Sequence, residues 1–304
     1  MQEKEFLSTR FKDKFYFTKG SFVDMFKWIF VEWKMLGIND QDIVVDFGSG
    51  SRPLLRANIL VDKAVFGVYE RPVEFLDTGV YVIQSSLENL PFKDKSVTFG
   101  FCSHTVEHLE DLERSLDEMS RVCKRGFLAC PSRIKENILG FRMHLWFIEK
   151  RGKELIFTRK RKPYTEEIGD YFEKMLISSR KYVWYNFERE LREDFEIRHF
   201  WIDRIRYRVI RQENGKGWKN PGDTVYSVLH LNSFIALLRR SIYRISASII
   251  CNKSNNMVSI ENILCCPSCK KDLVFTETGA SCSSCSRFFP RIGAKAWDFT
   301  DTKH

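Results

Sequence analysis

The chain has 304 residues, of which 43% are hydrophobic and 14% aromatic, and its formal net charge is +9. That apolar content excludes a disordered chain, and no apolar run approaches the ~20 residues of a membrane-spanning helix. The basic balance suits an anionic partner such as nucleic acid, a phosphorylated substrate or a membrane surface, or else a solvated basic face.

Residues 1–40 read as a helical cap, with Phe22, Met25, Phe26, Ile29, Phe30 and Trp33 at helical spacing and a stop near Gly37. An apolar run over 43–47 ends in Asp46-Phe47 and leads into Gly48-Ser49-Gly50. Further runs at 58–62, 80–83, 96–102 and 126–131 have the same character of short, fully buried parallel strands. Between the last two, residues 112–122 form an amphipathic helix with Leu112, Leu116, Met119 and Val122 on one face. This alternation predicts an α/β fold, a doubly wound parallel sheet. Over 135–225 the signal weakens, although 195–210 holds candidate antiparallel strands. Residues 233–250 read as a basic amphipathic helix that lies on an anionic membrane surface or packs on the sheet with its arginines outward. A polar linker follows at 251–256.

The nine cysteines divide sharply. Cys266 and Cys269 form one CxxC pair, and Cys282 and Cys285 form a second twelve residues later. Two such knuckles place four thiolates around one tetrahedral ion, most plausibly Zn²⁺ in a closed, structural site. Cys102, Cys123, Cys130, Cys251 and Cys265 have no evident pairing. Thiolate ligands, unpaired cysteines and an N-terminal stretch without an apolar signal segment together favour a reducing, cytoplasmic setting and argue against disulfides.

The glycines after the first strand let backbone approach a ligand closely, and Asp62 ends the next strand, where a carboxylate can accept both hydroxyls of a ribose. Downstream, Leu90-Pro91-Phe92-Lys93-Asp94, then Val106-Glu107-His108, and then Glu118, Arg121-Val122 and Lys124-Arg125-Gly126 follow in order. Over residues 42–132 this set resembles the class I S-adenosylmethionine-dependent methyltransferases with an LPF and LEH signature. The resemblance implies a Rossmann-like sheet with S-adenosylmethionine over its strand ends. By position it implies Asp46, Gly48, Ser49 and Gly50 at the methionine part of the cofactor, Asp62 at the ribose, Ser86 and Leu87 at the adenine, and Ser103 and His104 beside the methyl group or the acceptor. The family usually has an acid where Ser86 stands, and only eight residues separate Gly50 from Ile59, so the crossover passes as a loop or single turn. These departures leave room for a non-catalytic relative of the family.

Residues 260–299 resemble the small zinc-ribbon activators of methyltransferases, which implies Cys266, Cys269, Cys282 and Cys285 as ligands. The expected organisation is a methyltransferase domain over 1–250, with a cap at 1–40 and an acceptor-side insertion at 135–225, followed by a ribbon domain at 257–304 that stabilises the enzyme, recruits a protein partner or binds substrate. His104 is a general base or a strand-end contact to the cofactor. His144 is a base on the acceptor side or a packed core histidine. Glu107 and His108 are further candidate bases, or a cap packing the turn after the fourth strand. The expected acceptor is a small molecule or a lipid-linked sugar. The alternative is RNA, gripped by the ribbon, by the basic run at 159–162 and by Arg204, Arg206, Arg208 and Arg211, with Trp201 and Tyr207 stacking on bases.

Overall fold

The computed structural model describes residues 32–50, 53–63, 79–141, 143–161, 187, 190–211, 241, 245 and 259–300. The expected cap helix is described only at its end, α1 (Glu32–Met35), and the basic helix at 233–250 lies almost wholly outside the described residues.

Five parallel strands form the centre of the molecule: β1 (Val44–Phe47), β2 (Ile59–Asp62), β3 (Tyr81–Gln84), β4 (Val97–Ser103) and β5 (Cys123–Pro131). Their order is β3-β2-β1-β4-β5. Every residue of β1 and β2 is buried, as expected of strands covered on both faces. The chain reverses direction across the sheet between β1 and β4, and the crevice at such a switch point is where an open α/β sheet binds ligands. Helix α2 (Leu112–Val122) connects β4 to β5. It starts where the Asp111 carboxylate accepts the Arg114 N–H, and it buries Leu112, Leu116, Met119 and Val122 against the sheet.

The short crossover after β1 is helix-free among the described residues 53–58, where the Ala57 N–H to Leu54 O bond makes a single turn. The buried Asp46 carboxylate accepts the Leu54 N–H at 2.7 Å, so a side chain of β1 holds the loop that a helix would otherwise support. Arg56, also buried, donates to the carbonyls of Asn39, Asp40 and Asp42 and to Asn58 Oδ1. This ties the crossover to the segment preceding β1.

Beyond β5 comes α3 (Arg133–Leu139), capped by Ser132, then the hairpin β6 (Trp146–Arg151) and β7 (Glu154–Arg159). After α4 (Arg192–Phe195), β8 (Glu196–Ile202) pairs antiparallel with β5. The next strand, β9 (Tyr207–Ile210), departs from expectation. It leaves the main sheet and pairs parallel with β7, completing a separate three-stranded sheet.

The C-terminal segment contains α5 (Ile260–Ile263), β10 (Val274–Phe275), β11 (Gly279–Ser281), β12 (Phe288–Gly293) and β13 (Ala296–Asp298). Strand β13 pairs parallel with β3, Trp297 opposite Ile83, so the main sheet runs continuously through ten strands. Phe289, Trp297 and Phe299 share one hydrophobic core with Val45, Ile59 and Ile83. The otherwise open β3 edge is thereby covered. Among the described residues, no helix is long and apolar enough to cross a membrane.

Candidate functional site

The loop after β1 is fixed by its own backbone. Gly48 and Gly50 both adopt positive φ, at +71° and +53°. The Gly48 N–H donates to Val61 O at 2.8 Å, which seats the turn on β2. A methyl group on Gly48 would overlap the Thr105 side chain, whose hydroxyl lies 3.3 Å from Phe47 O. The loops after β1 and β4 are therefore in direct contact.

Asp62, at the end of β2, accepts the Gly50 N–H at 3.0 Å. Asp46, Gly48, Ser49, Gly50 and Asp62 thus converge at the strand ends, as the sequence implies. The Ser49 hydroxyl is buried there and has no hydrogen-bond partner among the described residues, so it is free to bind a polar ligand group. At the end of β3, Ser86 caps the 3-10 turn of Leu87–Asn89 and donates to Glu88 Oε2 at 2.7 Å. A carboxylate therefore stands beside the position where the family carries an acid. Leu87 is buried, and Ser103 ends β4 next to Thr105. Turn, strand-end acid and buried hydroxyl fit an adenosyl cofactor.

His104 follows β4 in a left-handed conformation, φ +54°, with its side chain about half exposed. Its Nδ1 lies 3.4 Å from Glu107 Oε1. His144 is buried, and its Nδ1 meets Glu136 Oε2 at 2.6 Å. The His144 ring packs edge-on against that of His108 at 4.7 Å, and the backbone fixes the meeting. The Leu145 N–H donates to Glu107 O and Trp146 Nε1 to Leu109 O, both at 2.7 Å, so the start of β6 is laced to the loop after β4.

The reading of Glu107 as a cap is not what the structure shows. The turn at Val106–His108 has no side-chain cap, and Glu107 points inward, 1% exposed, with no well-aligned hydrogen bond to its carboxylate among the described residues and His104 Nδ1 beside it. Burial would push its pKa up, but His104, His108 and His144 around it hold the carboxyl down at about 2. The sequence marks Glu107 and His108 as neighbours of a strand end. Their partners Glu136, His144 and Lys160 come from elements that only the fold brings near.

Two expectations about the basic surface also change. Lys160, within the basic run, is buried and ion-paired with Glu136. Trp201 is buried against Gly126, because the alternation of β8 turns Ile197, His199 and Trp201 inward, so it offers no face for a base. Tyr207 is held by Asp117 at 2.9 Å.

The four ribbon thiols come together as expected. The sulfurs of Cys266 and Cys285 are 3.5 Å apart, those of Cys269 and Cys282 3.4 Å, and all four lie within 4.8 Å of one another. A tetrahedron of ~2.3 Å metal–sulfur bonds has edges of roughly 3.7 Å, close to these separations. Both knuckles repeat one geometry: Cys266 O accepts the Lys270 N–H and Cys282 O the Ser286 N–H, with Lys270 and Ser286 at positive φ. The donor set fits a structural Zn²⁺. Cys102, Cys123 and Cys130 are inert by comparison, since burial lifts their thiols well above the ordinary range.

Residues 63–130 match the family model described as a methyltransferase domain. That match covers less than half of the chain. Among solved structures it is similar to an S-adenosylmethionine-dependent methyltransferase of Thermotoga maritima, at 24% identity over 30% of this chain and 45% of that one, TM-score 0.25. It is also similar to the complex between the Haloferax volcanii Trm112 methyltransferase activator and a methyltransferase, at 22% identity over 32% and 48%, TM-score 0.24. A third is the YcgJ protein of Bacillus subtilis, at 22% identity over 39% and 61%, TM-score 0.28. The chain thus spans about half the length of the first two. No curated protein matches.

Proposed function

We propose that this chain is an S-adenosylmethionine-dependent methyltransferase whose acceptor is a small molecule or a lipid-linked sugar. The observation that carries the reading is the joint presence, at the β1/β4 switch point, of a positive-φ glycine turn and a strand-end aspartate bonded to it, inside a β3-β2-β1-β4-β5 sheet. The methyltransferase-domain match over 63–130 supports it. When bound, the cofactor supplies a methyl group activated on a sulfonium. The residues of this chain then hold the ribose through Asp62, receive the methionine part over Gly48–Gly50, and offer His104 as a proton acceptor at the exposed rim. Positioning is expected to supply much of the rate.

A small acceptor is favoured over RNA by the use the fold makes of its basic and aromatic residues. Trp201 is buried, and Arg159, Arg208 and Arg211 are paired with Glu110, Glu154 and Glu113. RNA gripping would instead show strong salt dependence, which filter binding across salt concentrations measures. Calorimetric titration of the metal-loaded protein with S-adenosylmethionine is the direct test of the main reading; absence of binding would defeat it. A single methyl-transfer turnover on any acceptor would dispose of the non-catalytic scaffold alternative.

A further inference from the structure

Glu107, His108 and His144 each present a ligand atom within 4.8 Å of the other two, in a group separate from the ribbon thiols, on the loop after β4 and just before β6. Three further observations suit a cation. The Glu107 carboxylate is buried and, among the described residues, accepts no well-aligned hydrogen bond, its nearest partner being His104 Nδ1 at 3.4 Å, so it has room for a positive ligand. Both histidines have Nδ1 engaged elsewhere, His108 on Met143 O at 3.3 Å and His144 on Glu136 Oε2 at 2.6 Å, which leaves Nε2 as the available nitrogen of each ring. The His144–Glu136 pair is the carboxylate–histidine relay that orients metal-binding imidazoles. Lys160 in turn pairs with Glu136, so the charge of that second carboxylate is already balanced, whereas Glu107 faces the histidines.

From this geometry we infer that Glu107, His108 and His144 form a second metal site, for a first-row divalent cation in the Mn²⁺ to Zn²⁺ series. Two imidazoles and one carboxylate select such ions over Mg²⁺ or Ca²⁺, which prefer all-oxygen shells. Adjacent ligands of one ion stand roughly 3–3.5 Å apart, so the side chains close on it by about an ångström. Three protein ligands leave positions open. Glu107 is flanked by the half-exposed His104 at 3.4 Å, and on that side an open position would take an oxygen of the acceptor. This last step rests on the methyltransferase reading; the metal site itself does not. The acceptor class it implies is a hydroxylated compound presenting an ionisable hydroxyl.

The test is Co²⁺ loading of the full chain, followed by metal counting and absorption spectroscopy. Two ions per chain are expected, one with the near-ultraviolet thiolate charge-transfer band of the ribbon and one with only weak visible bands from nitrogen and oxygen ligands. Glu107→Gln and His144→Ala should each bind one ion and keep the thiolate band. Glu107→Gln preserves size, so it carries the test if His144→Ala fails to fold by circular dichroism. A wild-type protein that binds a single, thiolate-ligated cobalt, or a Glu107→Gln protein that still binds two, overturns the inference. Two cobalt ions together with no S-adenosylmethionine binding would uphold the site and remove the transferase reading instead.

Discussion

Asp62 and Gly50, twelve positions apart in sequence, meet where Asp62 Oδ2 accepts the Gly50 N–H at 3.0 Å. The bond joins the acid at the end of β2 to the glycine turn after β1, so one carboxylate both shapes the loop and faces the place proposed for a ribose.

Replacing Asp62 with alanine should weaken S-adenosylmethionine binding by about 10- to 100-fold, the loss of hydrogen bonds to a charged group. Calorimetry measures it. An unchanged dissociation constant would count against the assignment.

Gly48→Ala should destabilise the fold by about 1–3 kcal/mol, because an L-residue is strained at φ +71° and its methyl meets Thr105. Adding Thr105→Ala should relieve most of the steric part, since only the Thr105 Cβ contact remains, and leave the backbone part. Urea unfolding of both single variants and the double variant separates the two contributions.

His144→Ala should lower turnover by about 10²-fold or more while leaving cofactor affinity nearly unchanged, since His144 lies with Glu107 and His108 and not on the Gly48–Gly50 turn. Equal losses in turnover and binding would contradict that placement.

Removal of the ribbon metal, by chelation or by Cys282→Ser, should cost more than about 2 kcal/mol and lower the melting temperature in a single transition. The reason is that Trp297 and Phe299 lie in the same core as the central strands, and β13 covers the β3 edge. A separate low-temperature transition for the ribbon, seen by scanning calorimetry, would show the two to be independent.

Glu118 links the ribbon to α2 by accepting from Lys270 Nζ at 2.8 Å, Arg121 Nε at 2.6 Å and the Leu90 N–H at 2.9 Å. Burial would push its pKa up, but Arg121 and Lys270 outweigh this and hold it below the ordinary value. A carboxyl with a depressed folded pKa contributes stability that is fully present above the unfolded value of about 4.3 and lost as pH falls through the folded value. The stability gap between wild type and Glu118→Gln should therefore be about 1–3 kcal/mol at pH 7 and shrink below pH ~4. Denaturant curves at both pH values test it.

Much of the central sheet was legible in the sequence. Buried parallel strands are short apolar runs, so β1 to β4 fall within a residue of expectation, and the strong amphipathic pattern of α2 gave its limits. The sheet of β6, β7 and β9 was not foreseen: the β6–β7 hairpin lies in the stretch where the pattern is weak, and β9 pairs with a strand distant in sequence, a neighbour that alternation alone does not choose. The inward face of β8 could have been read from that alternation, and it would have removed Trp201 from the candidate base stackers. Docking of β13 on β3 leaves no trace in the cysteine spacing. The role of Glu107 was hidden for a different reason. An acid and a histidine after a strand resemble a cap until the Leu145 to Glu107 backbone bond brings His144 against them.

The most direct measurement is a crystal structure grown with S-adenosylmethionine or its demethylated product. The account predicts the ribose hydroxyls on the Asp62 carboxylate, the methionine portion over Gly48–Gly50 and the sulfur facing His104. A cleft that stays empty at saturating ligand, or a ligand bound away from the ends of β1 and β2, would contradict it.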